Sequence, residues 1–320
     1  LSNYHLPLFV SEKLKTIITA VDKESVIQAQ AEMSEHYRLA NSKGKLRLSN
    51  FQRFEHSIAY AAVRMPATYA AIRSVLDQFP KEDEPKTVLD LGAGSGSATL
   101  AAFNRWSTLT SATLIEHNKD ILDLGRGFLE NSANFVQADL RSVEIAQQSD
   151  LVILAYVMGE FSQQDQLKIL EKAWQASRQY LVIITPGTPR DFEELLLLRQ
   201  KLIEKGGTVI APCPHNNACP MAKTDWCHFS VRLQRTSLHR HLKQATLSFE
   251  DEKYCYLIVS KEPMARGANA RIIKKPIQAS GHTILDLCEE NGLKRVTISK
   301  KQKSLYKKVS KAQWGDEWDI

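Results

Sequence analysis

The 320 residues, 43% hydrophobic and 24% charged, are enough for one large or two modest domains with a real core. No stretch has the apolar length of a membrane span, and Leu1–Pro7 lacks the charged start and apolar centre of a signal peptide. Five cysteines make an odd count for a disulfide framework, which points to a reducing, cytosolic compartment, and the net charge of +6 is mild.

Residues 1–84 read as helical. Ser11–Val21, Lys23–Leu39 and Asn50–Phe79 are amphipathic or Ala-rich, and the basic stretch Asn41–Arg47 links the second to the third. Pro66 interrupts the third, so a kink or a new helix is expected there. Arg64 and Tyr69 flank this break; surface packing is the plain expectation for them, and a lid over the mouth of the site described next is the sharper one. Pro80–Lys86 is a charged linker.

From 87 to 187 strand-like and helix-like stretches alternate, the pattern of a parallel α/β sheet. The first strand, Thr87–Leu91, runs into Gly92-Ala-Gly94-Ser-Gly96 and then a helix opening, the setting in which a glycine-rich turn binds a nucleotide-like ligand. A pyrophosphate binder favours Gly-x-Gly-x-x-Gly and no carboxylate nearby, because its ligand is anionic. Here Asp90 stands two residues before Gly92, which suits the ammonium and sulfonium of S-adenosylmethionine (SAM). The next strand, Ser111–Ile115, ends in Glu116, an acceptor for ribose hydroxyls, and Asn134–Leu140 carries Asp139, placed for an adenine amino group. Leu151–Tyr156 and Leu181–Gly187 supply further strands. The expected fold is therefore a class I SAM-dependent methyltransferase, a Rossmann-like seven-stranded sheet, with cofactor contacts from Asp90, Gly92, Gly94, Gly96, Glu116 and Asp139.

Phe192–Lys205 reads as a Leu-rich helix stopped by Gly206-Gly207, and Thr208–Ala211 and Tyr254–Ser260 as the last two strands of that sheet. The intervening 212–253 is far too long for a hairpin. It carries Cys213, Cys219 and Cys227 in a Pro-rich polar setting, and Cys255 follows on the next strand. The spacing is not that of a zinc ribbon. Cys-Pro pairs occur where thiolates hold iron–sulfur clusters, and four cysteines complete a 4Fe-4S site. Zinc on three cysteines with His215 or His228 is the rival, and inert buried thiols the plain alternative. A cysteine nucleophile is excluded, since the strands beside the methyl group carry none.

Residues 261–320 form a smaller basic unit. Between 261 and 311 there are thirteen Lys/Arg against four Asp/Glu. Thr283–Cys288 and Leu293–Ser299 flank Glu289-Glu-Asn-Gly292, a hairpin signal, with Cys288 read as a packed or edge thiol. Lys300, Lys301, Lys303, Lys307, Lys308 and Lys311 follow. With Arg232, Arg235, His239, Arg240, His241 and Lys243 they suggest a track for an RNA backbone, against the plain alternative of a solvated face.

The glycine loop, Arg64–Tyr69, Ala155-Tyr-Val-Met-Gly-Glu160, the Cys213/Cys219/Cys227 loop and Trp314-Gly-Asp-Glu-Trp318 together resemble the methyltransferase-like proteins of the mitochondrial small ribosomal subunit and their bacterial relatives. The resemblance spans nearly the whole chain. It implies a 4Fe-4S cluster on Cys213, Cys219, Cys227 and Cys255, and association with small-subunit ribosomal RNA or the pre-ribosomal small subunit during assembly. The strand-four tip lacks the Asn/Asp-Pro-Pro-Tyr/Phe of amino-methylating enzymes, leaving Tyr156 and Glu160 as candidates for acting on a substrate.

The expected organisation is a helical cap (1–84), a methyltransferase core (85–260) with the Cys-rich insertion 212–253, and a basic β unit (261–320). Two functions stay open: an RNA methyltransferase, or a non-catalytic assembly factor using the fold as an RNA-binding platform. The expected setting is the cytoplasm of a bacterium or the mitochondrial matrix of a eukaryote, with no membrane partner and a monomer away from the ribosome.

Overall fold

A computed structural model describes residues 4–43, 53–222, 224–264 and 268–319. Four helices open the chain, α1 (Leu8–Thr19), α2 (Lys23–Lys43), α3 (Phe54–Val63) and α4 (Met65–Leu76). Most of the expected linker 41–47 and the start of the third helix lie outside the described residues. Pro66 sits in the first turn of α4, where its missing N–H is no loss, so a new helix begins there.

The sheet then builds from β1 (Thr87–Leu91), α5 (Ser97–Arg105), β2 (Ser111–Glu116), α6 (Lys119–Leu129), β3 (Asn134–Gln137), β4 (Ser149–Ala155), α7 (Gln163–Ala176), β5 (Ser177–Pro186), α8 (Pro189–Glu204) and β6 (Thr208–Ala211). Next come β7 (Phe229–Gln234), α9 (Ser237–Leu242) and β8 (Phe249–Ser260). The strand order is β3-β2-β1-β4-β5-β8-β6, parallel from β3 to β5, with β8 antiparallel to both its neighbours. This is the class I methyltransferase arrangement. It has eight strands instead of the expected seven, because β7, inside the insertion, pairs with the first half of β8.

Both faces of the sheet are covered, so its central strands are apolar throughout yet still alternate in direction. Leu151, Ile153, Val182, Ile184, Tyr256 and Ile258 join the core shared with α1–α6. Their neighbours Val152, Leu154, Leu181, Ile183, Leu257 and Val259 join the core under α7 and α8. The opening helices bury Val10, Met33, Ile58, Tyr69 and Ile72 in the first of these cores.

The chain ends in β9 (Ala270–Ile272), β10 (Ile277–Ala279), β11 (His282–Glu289), β12 (Gly292–Ser299), α10 (Lys303–Val309) and β13 (Glu317–Trp318). The hairpin β11–β12 pairs Cys288 with Leu293, and β9 and β13 extend the sheet. Leu285, Leu287, Ile298, Val309 and Trp318 form a small core of their own.

Candidate functional site: a ligand cleft and a four-thiol cavity

The tips of β1, β2 and β4 border two adjoining clefts. One, of about 830 Å³, is lined by Glu116, His117, Asp139, Arg141 and Asp165, and the other, of about 450 Å³, by Tyr60, Asp90, Gly94, Ser97 and Tyr156. Gly92, Val157 and Glu160 border both. The loop needs its glycines. Gly92 has φ +70° and a Cβ there would fall 2.3 Å from Val157 Cγ2, while Gly96 caps α5 at φ +85° with Leu129 Cδ1 2.8 Å from the same hypothetical atom.

Asp90, 1% exposed, accepts hydrogen bonds from the Thr99 backbone N–H (3.1 Å) and hydroxyl (2.8 Å). Burial pushes its carboxyl up to about 7, with the Thr99 bonds opposing. Glu116 is buried as well. Its Oε2 accepts from Gly94 N–H and its Oε1 from Asn118 N–H, both at 2.9 Å. It thus pins the glycine loop, and a carboxylate engaged this way keeps lone pairs for a ligand hydroxyl. Asp139 is clamped by the Arg141 side chain, which holds its carboxyl below the usual range. All six residues expected to contact the cofactor lie on this loop and the neighbouring strand tips, and every one except Gly96 borders the clefts.

The strand-four tip is less open. Tyr156 takes φ +60°, and its hydroxyl is buried in the field of Glu252 and Arg64. Burial first, then the Glu252 carboxylate, drives its pKa well above the phenol range. Glu160 instead borders both clefts. The lid expectation needs correction. Arg64 is tied to Glu252 by paired hydrogen bonds of 3.0 and 3.2 Å, and Tyr69 is 1% exposed in the core. Tyr60, which the sequence did not single out, borders the cleft from α3, with Thr68 and Ile72 from α4.

A separate apolar cavity of about 560 Å³ lies between α8, the cysteine loop and the C-terminal sheet. Cys213, Cys219, Cys227 and Cys288 line it, together with His215, Arg199, Phe192, Met221 and Ile273. Cys255 does not. It lies in the same buried core as Cys288, and its thiol donates to the Cys227 carbonyl at 3.2 Å. Cys288, and not Cys255, is the fourth cysteine of the lining. On β11, Leu285 and Leu287 point into the small C-terminal core, so Cys288 projects from the opposite face, where His215 Nε2 is 3.6 Å from its sulfur. His228 is stacked on Trp226 instead (centroids 4.9 Å) and is not part of the lining.

All five thiols are free. Burial and mutual repulsion raise Cys219 and Cys227, and push Cys288 up to about 12. Among the described residues no group of three or more His, Cys, Asp or Glu is gathered closely enough to hold a metal ion. One zinc ion draws its sulfurs to about 2.3 Å. A four-iron cube holds its four thiolates farther apart, and four cysteines around one apolar cavity are the donor set that it takes.

The basic track is smaller than expected. Arg232 pairs with Asp251 through two 2.7 Å bonds, Arg235 and Lys243 both pair with Glu250, and His239 is buried, its pKa driven down to about 4 by desolvation. The insertion cluster is largely neutralised by acids on β8. Lys300, Lys301, Lys303, Lys307 and Lys311 remain exposed on the C-terminal unit, with no carboxylate partner among the described residues. Lys308 lies over the Trp318 ring at 4.8 Å.

A family model described as the mitochondrial small ribosomal subunit Rsm22 matches residues 54–319. The human mitochondrial ribosome assembly protein METTL17 is 24% identical over 287 residues, covering 81% of this chain and 62% of that protein. The mitochondrial Rsm22-cox11 tandem protein 2 of Schizosaccharomyces pombe is 24% identical over 319 residues, covering 81% of this chain and 42% of its own. The chain thus spans less than two thirds of either relative's length. Among solved structures, a SAM-dependent methyltransferase from Leishmania major aligns over 62% of this chain and 72% of its own at 14% identity, with a TM-score of 0.42. This chain belongs to the mitochondrial small ribosomal subunit Rsm22 family.

Proposed function

We propose that this protein is a SAM-binding, methyltransferase-like factor of the small ribosomal subunit that docks on ribosomal RNA and carries a structural 4Fe-4S cluster on Cys213, Cys219, Cys227 and Cys288. The observation that carries the reading is the family match over residues 54–319, joined in the same chain to an intact ligand cleft. The names of its relatives support a ribosome-assembly role and, for a eukaryotic chain, the mitochondrial matrix. Asp90, the glycine loop, Glu116 and Asp139 would hold SAM, which when bound offers an electrophilic methyl group. Docking is favoured over transfer because Tyr156 buries its hydroxyl against Arg64 and Glu252, leaving Glu160 as the tip residue at both clefts.

The cofactor half has a pH signature. Asp90, with its carboxyl near 7, is protonated in the free protein at low pH, and a bound cation favours its carboxylate. Protonation thus opposes binding. SAM affinity should rise roughly tenfold between pH 5.5 and 7, below the titration of the ligand's own amino group. Calorimetry across that range should show the rise in wild type and a flat profile in Asp90→Asn; a flat wild-type profile would count against Asp90 facing the cation.

The RNA half rests on the unpaired lysines. Replacing Lys300, Lys301, Lys303 and Lys307 with Gln should weaken binding to small-subunit RNA and reduce the slope of log affinity against log salt by roughly 0.7–0.9 per lost phosphate contact. SAM binding should not change. Filter binding at several salt concentrations would check this, and an unchanged slope would move the RNA surface elsewhere.

A further inference from the structure

The thiol cavity contains a charge that no carboxylate among the described residues balances. Arg199, near the end of α8, is 4% exposed and lines the cavity beside the four cysteines. One of its terminal nitrogens donates to the carbonyls of His215 (2.8 Å) and Asn217 (3.0 Å), across the cysteine loop. Its Nε is buried with no hydrogen-bond partner. No carboxylate among the described residues lies within 4.0 Å of it, although ion pairs are common elsewhere in the molecule.

Carbonyl dipoles satisfy N–H groups but cannot cancel a net charge, and a guanidinium does not escape the problem by losing its proton. A buried charge without a counter-ion is strongly disfavoured. The rest of the lining is apolar, apart from His215, Tyr256 and the thiols. The groups there able to become negative are Cys213, Cys219, Cys227, Cys288 and the Tyr256 phenol, which burial keeps neutral. Metal coordination deprotonates thiols outright. Four thiolates around a 4Fe-4S core, or around one zinc ion, leave a net charge of about −2, which a fixed guanidinium partly offsets.

We propose that Arg199 is the built-in counter-charge of an anionic metal–thiolate centre in this cavity, a positioning residue that stabilises the centre's negative charge while tying down the loop that supplies two of its thiols. The inference rests on the four-thiol reading above, and it adds a residue that donates no metal bond. It also makes a signed prediction. Adding an electron makes a cluster more negative, so removing the positive charge should disfavour reduction.

The test uses full-length protein purified without oxygen, as wild type, Arg199→Gln and Arg199→Lys. Iron, acid-labile sulfide and zinc are measured first, with thermal melting as the check on folding. The cluster is then titrated with dithionite and followed by electron paramagnetic resonance. In Arg199→Gln the one-electron reduction should become at least tenfold less favourable, about 59 mV lower in midpoint, or the cluster should be largely lost from a folded protein. Arg199→Lys should hold the cluster with a reduction equilibrium within about threefold of wild type. A folded Arg199→Gln with wild-type cluster content and midpoint would overturn the counter-charge role and leave the cluster reading standing. Should Arg199→Gln not fold, the Lys variant decides: wild-type midpoint supports the role, and a folded protein that has lost its cluster refutes it. If the wild type holds zinc without sulfide, the cluster reading fails, and chelator competition judges Arg199 by the same tenfold criterion. Wild type with no metal at all would overturn both.

Discussion

Serine at Cys213, Cys219, Cys227 or Cys288 is expected to bleach protein purified without oxygen, whereas serine at Cys255 should leave it brown. The first four thiols line one cavity, and Cys255 does not, its thiol donating to the Cys227 carbonyl. A bound metal centre contributes its binding energy to folding, on the order of 10 kcal/mol for a structural zinc site, so losing a ligand should also loosen the insertion. Iron and sulfide in near-equal amounts, with hydrogen exchange over 212–228, would check both parts. A Cys255→Ser protein without iron, or a Cys288→Ser protein that keeps its full complement, would sink this ligand set. Colourless protein with one zinc would transfer the role to a zinc site, with His215 the imidazole at hand.

Arg271→Met should cost about 3–5 kcal/mol, the largest loss expected from a side chain outside both sites. Arg271 is 3% exposed on β9 and donates to the Pro212 carbonyl (2.9 Å), Gln78 Oε1 (2.7 Å), the Gly315 carbonyl (2.9 Å) and Glu317 (3.3 Å). It joins the C-terminal sheet to the start of the cysteine loop and to the turn after α4. Methionine would preserve much of the volume, so the cost comes from leaving two carbonyls and an amide oxygen without donors. Each such orphan costs roughly 1–3 kcal/mol, while the partly exposed Glu317 can turn to water. Urea unfolding should show the loss; a change below about 1 kcal/mol would mean that water takes over these bonds.

The strands and the glycine loop were legible because their signal is local. A short apolar run ending in Gly-x-Gly-x-Gly with an acid two residues before it requires no knowledge of distant partners. What the sequence misrepresented depends on pairing across the fold. Arg232, Arg235 and Lys243 read as a basic patch until β8 brings Asp251 and Glu250 against them. The extra strand β7 was hidden in a segment judged by its length and cysteines. Cys288 was read as a packed or edge thiol; it sits off the alternation of Thr283, Leu285 and Leu287, and that offset turns it toward the other cysteines. Arg199 and Arg271 carry no sequence signal at all. An arginine on a Leu-rich helix and another on a short strand both look like surface residues until their surroundings close over them.

The position of Cys288 has a consequence for how the molecule is made. Three thiols of the cavity leave the synthesising ribosome close together, but the fourth wall arrives only with the penultimate hairpin, after the whole methyltransferase sheet has been produced. A nascent chain that stops before β11 can form its ligand cleft, yet its cavity stays open on one side. Closure therefore reports that translation has passed β11. A copy cut short before that strand differs from a longer one in the cavity itself, while the ligand cleft is the same in both.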